Sequence, residues 1–355
     1  MQEFYRMIDA NVNRASEGLR VLEDISRFIY NDKTLTPAIK ELRHSVRKSL
    51  ECEVFKCIEQ RDSASDVGLS VSRDLKLDSK SGTKDLISAN FKRVQEALRV
   101  IEESLHVLNK YELSKMYESM RFNSYVLEKD FIKHCLAFSK KQKLETDLYC
   151  LTAHEHSLGR SNTEVVKAMI NAGIKLIQYR EKDKSLKEKY NECSEIRKIT
   201  KDSGVTFIIN DDIHIAMMVG ADGVHIGQDD LPPDKVRSIV GDEMIIGVST
   251  HSPEQAQKAI SLGADYIGVG PIFKTFTKKD VCDPVGLSYL QYAVKNVDVP
   301  FVAIGGIKEH NMDEVVLTGA KCIAMVTEIV GELNIEDKIR SIRNKISDLK
   351  KSANR

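Results

Sequence analysis

The stretch Tyr266-Ile267-Gly268-Val269-Gly270-Pro271-Ile272-Phe273-Lys274-Thr275-Phe276-Thr277-Lys278-Lys279-Asp280 holds the pattern that decides the fold. Its first four residues form a short apolar run that reads as a buried strand. A loop follows that carries two threonines and three lysines. Hydroxyls and ammonium groups at one strand end suit a ligand bearing phosphate, because charge-assisted hydrogen bonds are strong and fix orientation. A solvated basic loop has the same letters. The choice between the two rests on what the rest of the chain brings to the same place.

From Asp147 onward, short apolar runs alternate with longer amphipathic stretches. The runs lie at 148–152, 174–179, 206–209, 223–226, 245–248, 266–269, 301–304 and 322–326. Between them, 163–172, 185–201, 212–219, 233–240, 253–262, 288–294 and 312–317 read as helices, several opening after Ser, Asp or Asn, which cap free first-turn amides. Eight strand–helix units predict a closed (β/α)8 TIM barrel of the α/β class over 147–355. An open doubly wound sheet is the alternative, weakened by the lack of a Gly-x-Gly-x-x-Gly fingerprint at the first helix.

Chemistry in such barrels sits at the C-terminal strand ends, and the polar letters fall there. Strand two ends in Gln178-Tyr179-Arg180-Glu181-Lys182, strand three in Asn210-Asp211-Asp212, and strand four runs into His225-Ile226-Gly227-Gln228-Asp229-Asp230. Strand five ends in Ser249-Thr250-His251, strand seven in Gly305-Gly306 and strand eight in Val326-Thr327. Arg180, Lys182 and Lys278 supply cations for a multiply charged anion. Asp211 and Asp230 make poor anion ligands but suit a Mg²⁺ bridging phosphate oxygens. Taken alone, each aspartate reads better as a helix N-cap, and Asp212 fits that role better than Asp211. Gly305-Gly306 and the backbone at Val326-Thr327 form a second anion site, or tight turns that need glycine. His225 and His251 are acid–base candidates or packing residues. His154 and His156 have no assignable role. Two anions in one mouth, one with metal, point to joining two phosphorylated substrates or moving a group off a diphosphate.

At 355 residues the chain fits two domains. Its 53 basic and 53 acidic residues give no net charge to attract nucleic acid or an anionic membrane. No apolar run is long enough for a bilayer span, and the first residues lack a signal-peptide pattern. Seven scattered cysteines without a Cys-x-x-Cys pair argue against zinc and disulfides, and for a reducing cytoplasm. The expected partners are small phosphorylated molecules; a homo-oligomer is compatible with the sequence.

Residues 1–138 read as a smaller all-α domain, with proline only at Pro37. The segment repeats itself: Ala10-Asn11-x-x-Arg14-x-x-Glu17-x-Leu19-Arg20-Val21-x-Glu23 matches Ala89-Asn90-x-x-Arg93-x-x-Glu96-x-Leu98-Arg99-Val100-x-Glu102. Asn, Arg and Glu three apart share one side of a helix. Three readings compete: a surface stripe of ion pairs, facing arginines that hold a phosphate, and arginines paired with glutamates in the helix interface. Arg61-Asp62-Ser63-Ala64-Ser65-Asp66-Val67-Gly68 has the composition of a loop. The charged stretch 139–146 reads as a linker that ends the helical pattern.

Residues 1–138 resemble the small helical domain found ahead of some bacterial thiamine phosphate synthases, through Asp9-Ala10-Asn11 to Asp24 and the 61–68 stretch. The resemblance implies a phosphorylating activity on hydroxymethylpyrimidine phosphate, although no Gly-rich phosphate loop is present. Residues 147–345 resemble thiamine phosphate synthase through Gln178-x-Arg180-x-Lys182, Asn210-Asp211, Val224-His225-x-Gly227-Gln228-x-Asp230, Gly247-Val248-Ser249, Gly270-Pro271-x-x-x-Thr275-x-Thr277-Lys278-Lys279-Asp280 and Ile304-Gly305-Gly306-Ile307. It implies a transferase of thiamine biosynthesis that joins 4-amino-2-methyl-5-hydroxymethylpyrimidine diphosphate to hydroxyethylthiazole phosphate. On this resemblance Asp211 and Asp230 bind Mg²⁺. The stretch Gln178, Tyr179, Arg180, Glu181 and Lys182, with Asn210, Ser249 and Lys278, holds the pyrimidine diphosphate. Arg180, Lys182, Lys278 and Ser249 carry catalysis. Thr275, Phe276, Thr277, Gly306, Val326 and Thr327 hold the thiazole phosphate. Phe276 stands where the family is often polar, and Thr327 where serine is usual. The alternatives are a thiazole tautomerase on the same barrel, which needs no diphosphate–magnesium apparatus, and a non-catalytic sensor of thiamine intermediates.

Overall fold

The computed structural model describes residues 1–61, 82–277 and 282–353. The chain divides into two compact units, Met1–Phe138 and Ser139–Arg355. Among the described residues no helix is long and apolar enough to cross a membrane.

The first unit is helical: α1 (Gln2–Asp24), a π-helical turn (Ile25–Ile29), α2 (Leu35–Lys48), α3 (Val54–Glu59), α4 (Thr83–Val107) and most of α5 (Tyr111–Leu144). The two copies of the repeat are α1 and α4, which pack against each other. Their shared letters separate by burial. Asn11 and Asn90 are buried and each donates its side-chain amide to the carbonyl four residues back, at 2.8 and 2.7 Å. Glu23 and Glu102 are also buried, 4 % and 2 % exposed. Glu23 accepts from Arg20 of its own helix and from Arg43 Nε of α2 at 2.8 Å. Glu102 accepts from Arg99 and from Arg121 Nε of α5, both at 2.9 Å. The repeat therefore encodes two equivalent buried carboxylates, each neutralised by two guanidiniums. A buried charge without such pairing costs several kcal/mol, roughly 3–5. Arg14 and Arg93 remain exposed outside these pairs. The 62–68 part of the loop expected to follow Arg61 lies outside the described residues; Arg61 itself forms a bidentate pair with Asp9, both contacts at 2.7 Å.

The expected linker is not a break in the helix. α5 continues to Leu144, and residues 139–144 belong to the second unit. Their charges have partners there. Lys140 lies 3.1 Å from both carboxylate oxygens of Asp265, and Lys143 lies 2.7 Å from Asp222. The same two aspartates also accept from Arg237 and the Ile246 amide, and from Arg197 and the Phe207 amide. The polar composition suits a linker; tertiary ion pairs and the burial of Leu144 make it helix.

The second unit is a closed barrel of eight parallel strands, each paired with its neighbours in chain order. They are β1 (Leu148–Leu151), β2 (Leu176–Tyr179), β3 (Thr206–Asn210), β4 (Gly223–Ile226), β5 (Ile245–Thr250), β6 (Tyr266–Val269), β7 (Phe301–Ala303) and β8 (Ile323–Met325). The helices between them are α6 (Asn162–Asn171), α7 (Leu186–Asp202), α8 (Ile213–Val219), α9 (Pro233–Val240), α10 (Pro253–Ser261), α11 (Gly286–Asn296), α12 (Met312–Leu317) and α13 (Thr327–Val330), with α14 (Ile335–Ala353) closing the chain. Ser161 and Ser185 open α6 and α7 in full capping boxes with Glu164 and Glu188.

Two cores follow from strand alternation. Leu148, Cys150, Ile177, Tyr179, Phe207 and Ile209 pack outward under the helices. Tyr149, Leu151, Leu176, Ile208, Ile245, Tyr266 and Val302 fill the interior, joined by Leu144. Tyr266 lies in the interior because its neighbour Gly247 has no side chain: a Cβ there would sit 2.1 Å from the Tyr266 ring.

Candidate active site

The strand that carries Gln178 decides by parity what reaches the mouth. Gln178, Arg180 and Lys182 share one parity and Tyr179 and Glu181 the other. Gln178 is buried and donates to Tyr149 Oη in the interior at 2.9 Å. Arg180 is anchored through its amide to Thr152 Oγ1 at 3.0 Å, and its guanidinium has no partner among the described residues. Tyr179 and Glu181 are placed elsewhere. Tyr179 lies under the helices and donates to Glu192 at 2.6 Å. Glu181 accepts from the His154 amide and from Asn162, tying the loop after β1 to α6.

Asp211 and Asp230 come together from the ends of β3 and β4. Asp211 has a left-handed backbone, φ 61°, uncommon for a residue with a side chain. Its amide donates to His225 O at 2.8 Å, which fixes the turn to the neighbouring strand. Its carboxylate pairs with Lys182. Asp230 accepts from the Gly227 amide at 2.7 Å. Burial pushes the Asp230 carboxyl above its ordinary range, and the adjacent Asp211 pushes it the same way. Neither aspartate is a helix cap. Asp212 does occupy the N-cap position of α8, yet it makes no side-chain cap bond and pairs instead with Lys189 at 2.9 Å.

On the opposite side, Thr275 and Thr277 are half-buried and 3.3 Å apart through their hydroxyls. Phe276 is 83 % exposed with Lys274 Nζ over its ring. Lys278, Lys279 and Asp280 lie outside the described residues. Gly306 has φ 65°, and a Cβ there would stand 2.6 Å from Lys274 O, so glycine lets this turn lie against the threonine loop. Val326 is the residue before α13, and Thr327 Oγ1 accepts from Lys308 Nζ at 3.0 Å.

Lys308 was not singled out by sequence reasoning, nor were Tyr149 and Tyr266, whose hydroxyls meet inside the barrel at 3.1 Å. Their inward parity inside otherwise apolar runs was the available signal. The histidines also gain roles. His225 bonds Tyr266 Oη and Ser249 Oγ, each at 2.9 Å. His251 Nδ1 donates to Gly270 O at 2.5 Å, joining the ends of β5 and β6. His154 acts through its backbone, and His156 lies 3.2 Å from Glu155. Asn210 ends β3 beside His225.

The mouth thus combines cations, a carboxylate pair and a glycine turn facing two hydroxyls. Among the described residues no group of three or more metal-ligating side chains occurs.

Residues 148–329 match the family model described as thiamine monophosphate synthase, and residues 6–130 match that of the ThiD2 family. A thiamine-phosphate synthase of Pelotomaculum thermopropionicum is 65 % identical over 204 residues, covering 58 % of this chain and 94 % of that protein. One of Thermosynechococcus vestitus is 36 % identical over 346 residues, 98 % of this chain and 96 % of that protein, so the similarity spans both units. The solved thiamine phosphate pyrophosphorylase of Pyrococcus furiosus superposes with a TM-score of 0.54 at 30 % identity, covering 59 % of this chain and 98 % of that one. By the match of its barrel and by similarity along nearly its whole length, the chain belongs to the thiamine monophosphate synthase family.

Proposed function

We propose that this transferase of thiamine biosynthesis joins 4-amino-2-methyl-5-hydroxymethylpyrimidine diphosphate to hydroxyethylthiazole phosphate at the barrel mouth. The observation that carries this reading is the meeting of Asp211, Asp230 and Lys182 from three strand ends, with Arg180 two residues before Lys182 and its guanidinium without a partner among the described residues. Two adjacent carboxylates repel one another unless a cation lies between them. Asp211 and Asp230 would hold a Mg²⁺, an ion that commonly takes one or two protein carboxylates. When bound, that ion would neutralise the diphosphate as a leaving group.

The chain's own residues supply the rest. Arg180 and Lys182, with Lys278, neutralise the diphosphate, which departs with the electron pair of the methylene C–O bond. The electron-rich aminopyrimidine stabilises the methylene cation. The thiazole nitrogen then donates its lone pair to that carbon and forms the C–N bond. No proton has to move, so no general base is required. Thr275, Thr277, Gly306, Val326 and Thr327 hold the thiazole phosphate so that its nitrogen lies in line. Catalysis is charge neutralisation and positioning.

The test is the full chain with Mg²⁺ and both substrates. Thiamine phosphate should form, and Asp211→Ala should lower kcat/KM about 100-fold or more. No product, or an unchanged rate in Asp211→Ala, would sink this reading. For the helical unit we propose the supply of the diphosphate by phosphorylation of the pyrimidine monophosphate, supported by the ThiD2-family match. Monophosphate plus ATP should then replace the diphosphate in the same assay, and a strict need for added diphosphate overturns it.

A further inference from the structure

We infer that α7 aligns the proposed diphosphate site from outside the barrel mouth, with Glu192 and Lys189 as its positioning residues. Glu192 holds the loop that carries Arg180 and Lys182, and Lys189 holds the turn that carries Asp211. The inference rests on the diphosphate reading of the site. Among the described contacts neither residue touches Arg180, Lys182, Asp211 or Asp230, so each acts through the residues beside them.

The loop 180–184 runs from the end of β2 to Ser185, the cap of α7. Glu192 grips both ends of it. Its carboxylate accepts from Tyr179 Oη at 2.6 Å, just before the loop, and from Lys184 Nζ at 2.5 Å, the last loop residue. It also accepts from Nδ2 of the fully buried Asn162 at 3.0 Å. The same Asn162 nitrogen donates to Glu181 at 2.8 Å, and Glu181 accepts from the His154 amide. Tyr179, Glu181 and Lys184 are therefore tied down outside the mouth, and Arg180 and Lys182 are the residues left between those anchors. Burial alone would push the Glu192 carboxyl up, yet Lys184, Tyr179 and Asn162 outweigh it and hold the group below its ordinary range. It is a charged acceptor that three donors share.

Lys189 lies three positions earlier on the same side of α7. Its largely buried ammonium pairs with Asp212 at 2.9 Å. Asp212 makes no cap bond to α8, so this pair is what fixes its carboxylate. Asp211 precedes it in a left-handed backbone, φ 61°, a conformation that persists only where the surroundings enforce it. Lys182 and Asp211 are 29 positions apart in the chain. The side chains that hold their neighbours are one helical turn apart on α7. None of these contacts reaches the β6, β7 and β8 loops proposed to hold the thiazole phosphate.

The experiment measures the dissociation constant of inorganic diphosphate with Mg²⁺, and the KM of hydroxyethylthiazole phosphate, for the full-length wild type, Glu192→Gln, Lys189→Met and Lys189→Arg. Glutamine places an amide NH2 against at least one of the three donors, and methionine removes the ion pair. Each should weaken diphosphate binding about tenfold or more, since small misplacements of charged groups are costly. The KM of the thiazole phosphate should stay within about twofold of the wild type. Lys189→Arg keeps the charge and should restore most of the affinity. A merely structural role lowers the melting midpoint and the active fraction but leaves both constants of the folded protein alone. Unchanged diphosphate binding in Glu192→Gln and Lys189→Met, or an equal loss for the thiazole phosphate, overturns the inference. If Glu192→Gln fails to fold, Tyr179→Phe and Lys184→Met each remove one of its donors and should show the same selective loss, about threefold or more. Wild-type protein that binds no diphosphate defeats the reading of the mouth instead, and that result is scored separately.

Discussion

At the scale of the residue, parity within a strand separates the useful side chains from their neighbours. Gln178 faces the interior and Tyr179 the helices, although they are adjacent. The basic loop poses the same question at Lys278 and Lys279, which are adjacent and chemically identical. The proposed diphosphate contact is made by Lys278. Lys278→Ala should therefore lose about 100-fold or more in kcat, and Lys279→Ala should stay within a few-fold of the wild type. Equal losses would show that the wrong lysine has been assigned. Gly247 is a second residue whose identity is forced. Gly247→Ala drives a methyl into the Tyr266 ring, so it should destabilise the barrel by about 1–3 kcal/mol. A variant as stable as the wild type would mean that the ring moves aside freely.

At the scale of the element, the end of α5 is the informative case. Its charged residues 140 and 143 meet Asp265 and Asp222 at the starts of β6 and β4. Burial alone would push the Asp222 carboxyl up, but Lys143, the Phe207 amide and Arg197 outweigh it and hold the group below its ordinary value of 3.8. In the folded protein Asp222 therefore stays ionised at acidities that protonate it in the unfolded chain. The stability it contributes is fully present above the unfolded value and is lost as pH falls through the folded one. Asp222→Asn should thus be less stable than the wild type near neutrality, with the gap closing between about pH 5 and pH 2. Denaturant melts across that range check it; a constant gap would mean that the hydrogen bonds, not the charge, carry the effect. The same element shows where sequence reading stops. Charged residues in a row are equally compatible with a linker and with a helix whose partners lie 79 and 125 positions away.

At the scale of the whole molecule, two cores are built on different rules. One is a helical unit whose repeat places Glu23 and Glu102 in equivalent buried ion pairs. The other is a barrel whose strand ends gather the chemistry. A ligand that binds only the barrel stabilises only the barrel. Calorimetry of the full chain with Mg²⁺ and inorganic diphosphate should move the barrel transition upward and leave a separate helical transition in place. A single transition that shifts as one would show that the two cores unfold together.

The sequence by itself determined the barrel, because eight apolar runs separated by amphipathic stretches can bury their backbone hydrogen bonds in few other ways. It also placed Asp211, Asp230, Arg180 and Lys182 at strand ends, since polar letters after a buried run must lie at the sheet's edge. Tertiary structure alone decided which of these meet. Lys182 reaches Asp211 across 29 positions of chain, and Gln178 is connected to Ser249 through two tyrosines and a histidine on three other strands. Local sequence fixes which way a side chain leaves its strand; closure of the barrel fixes what it finds there.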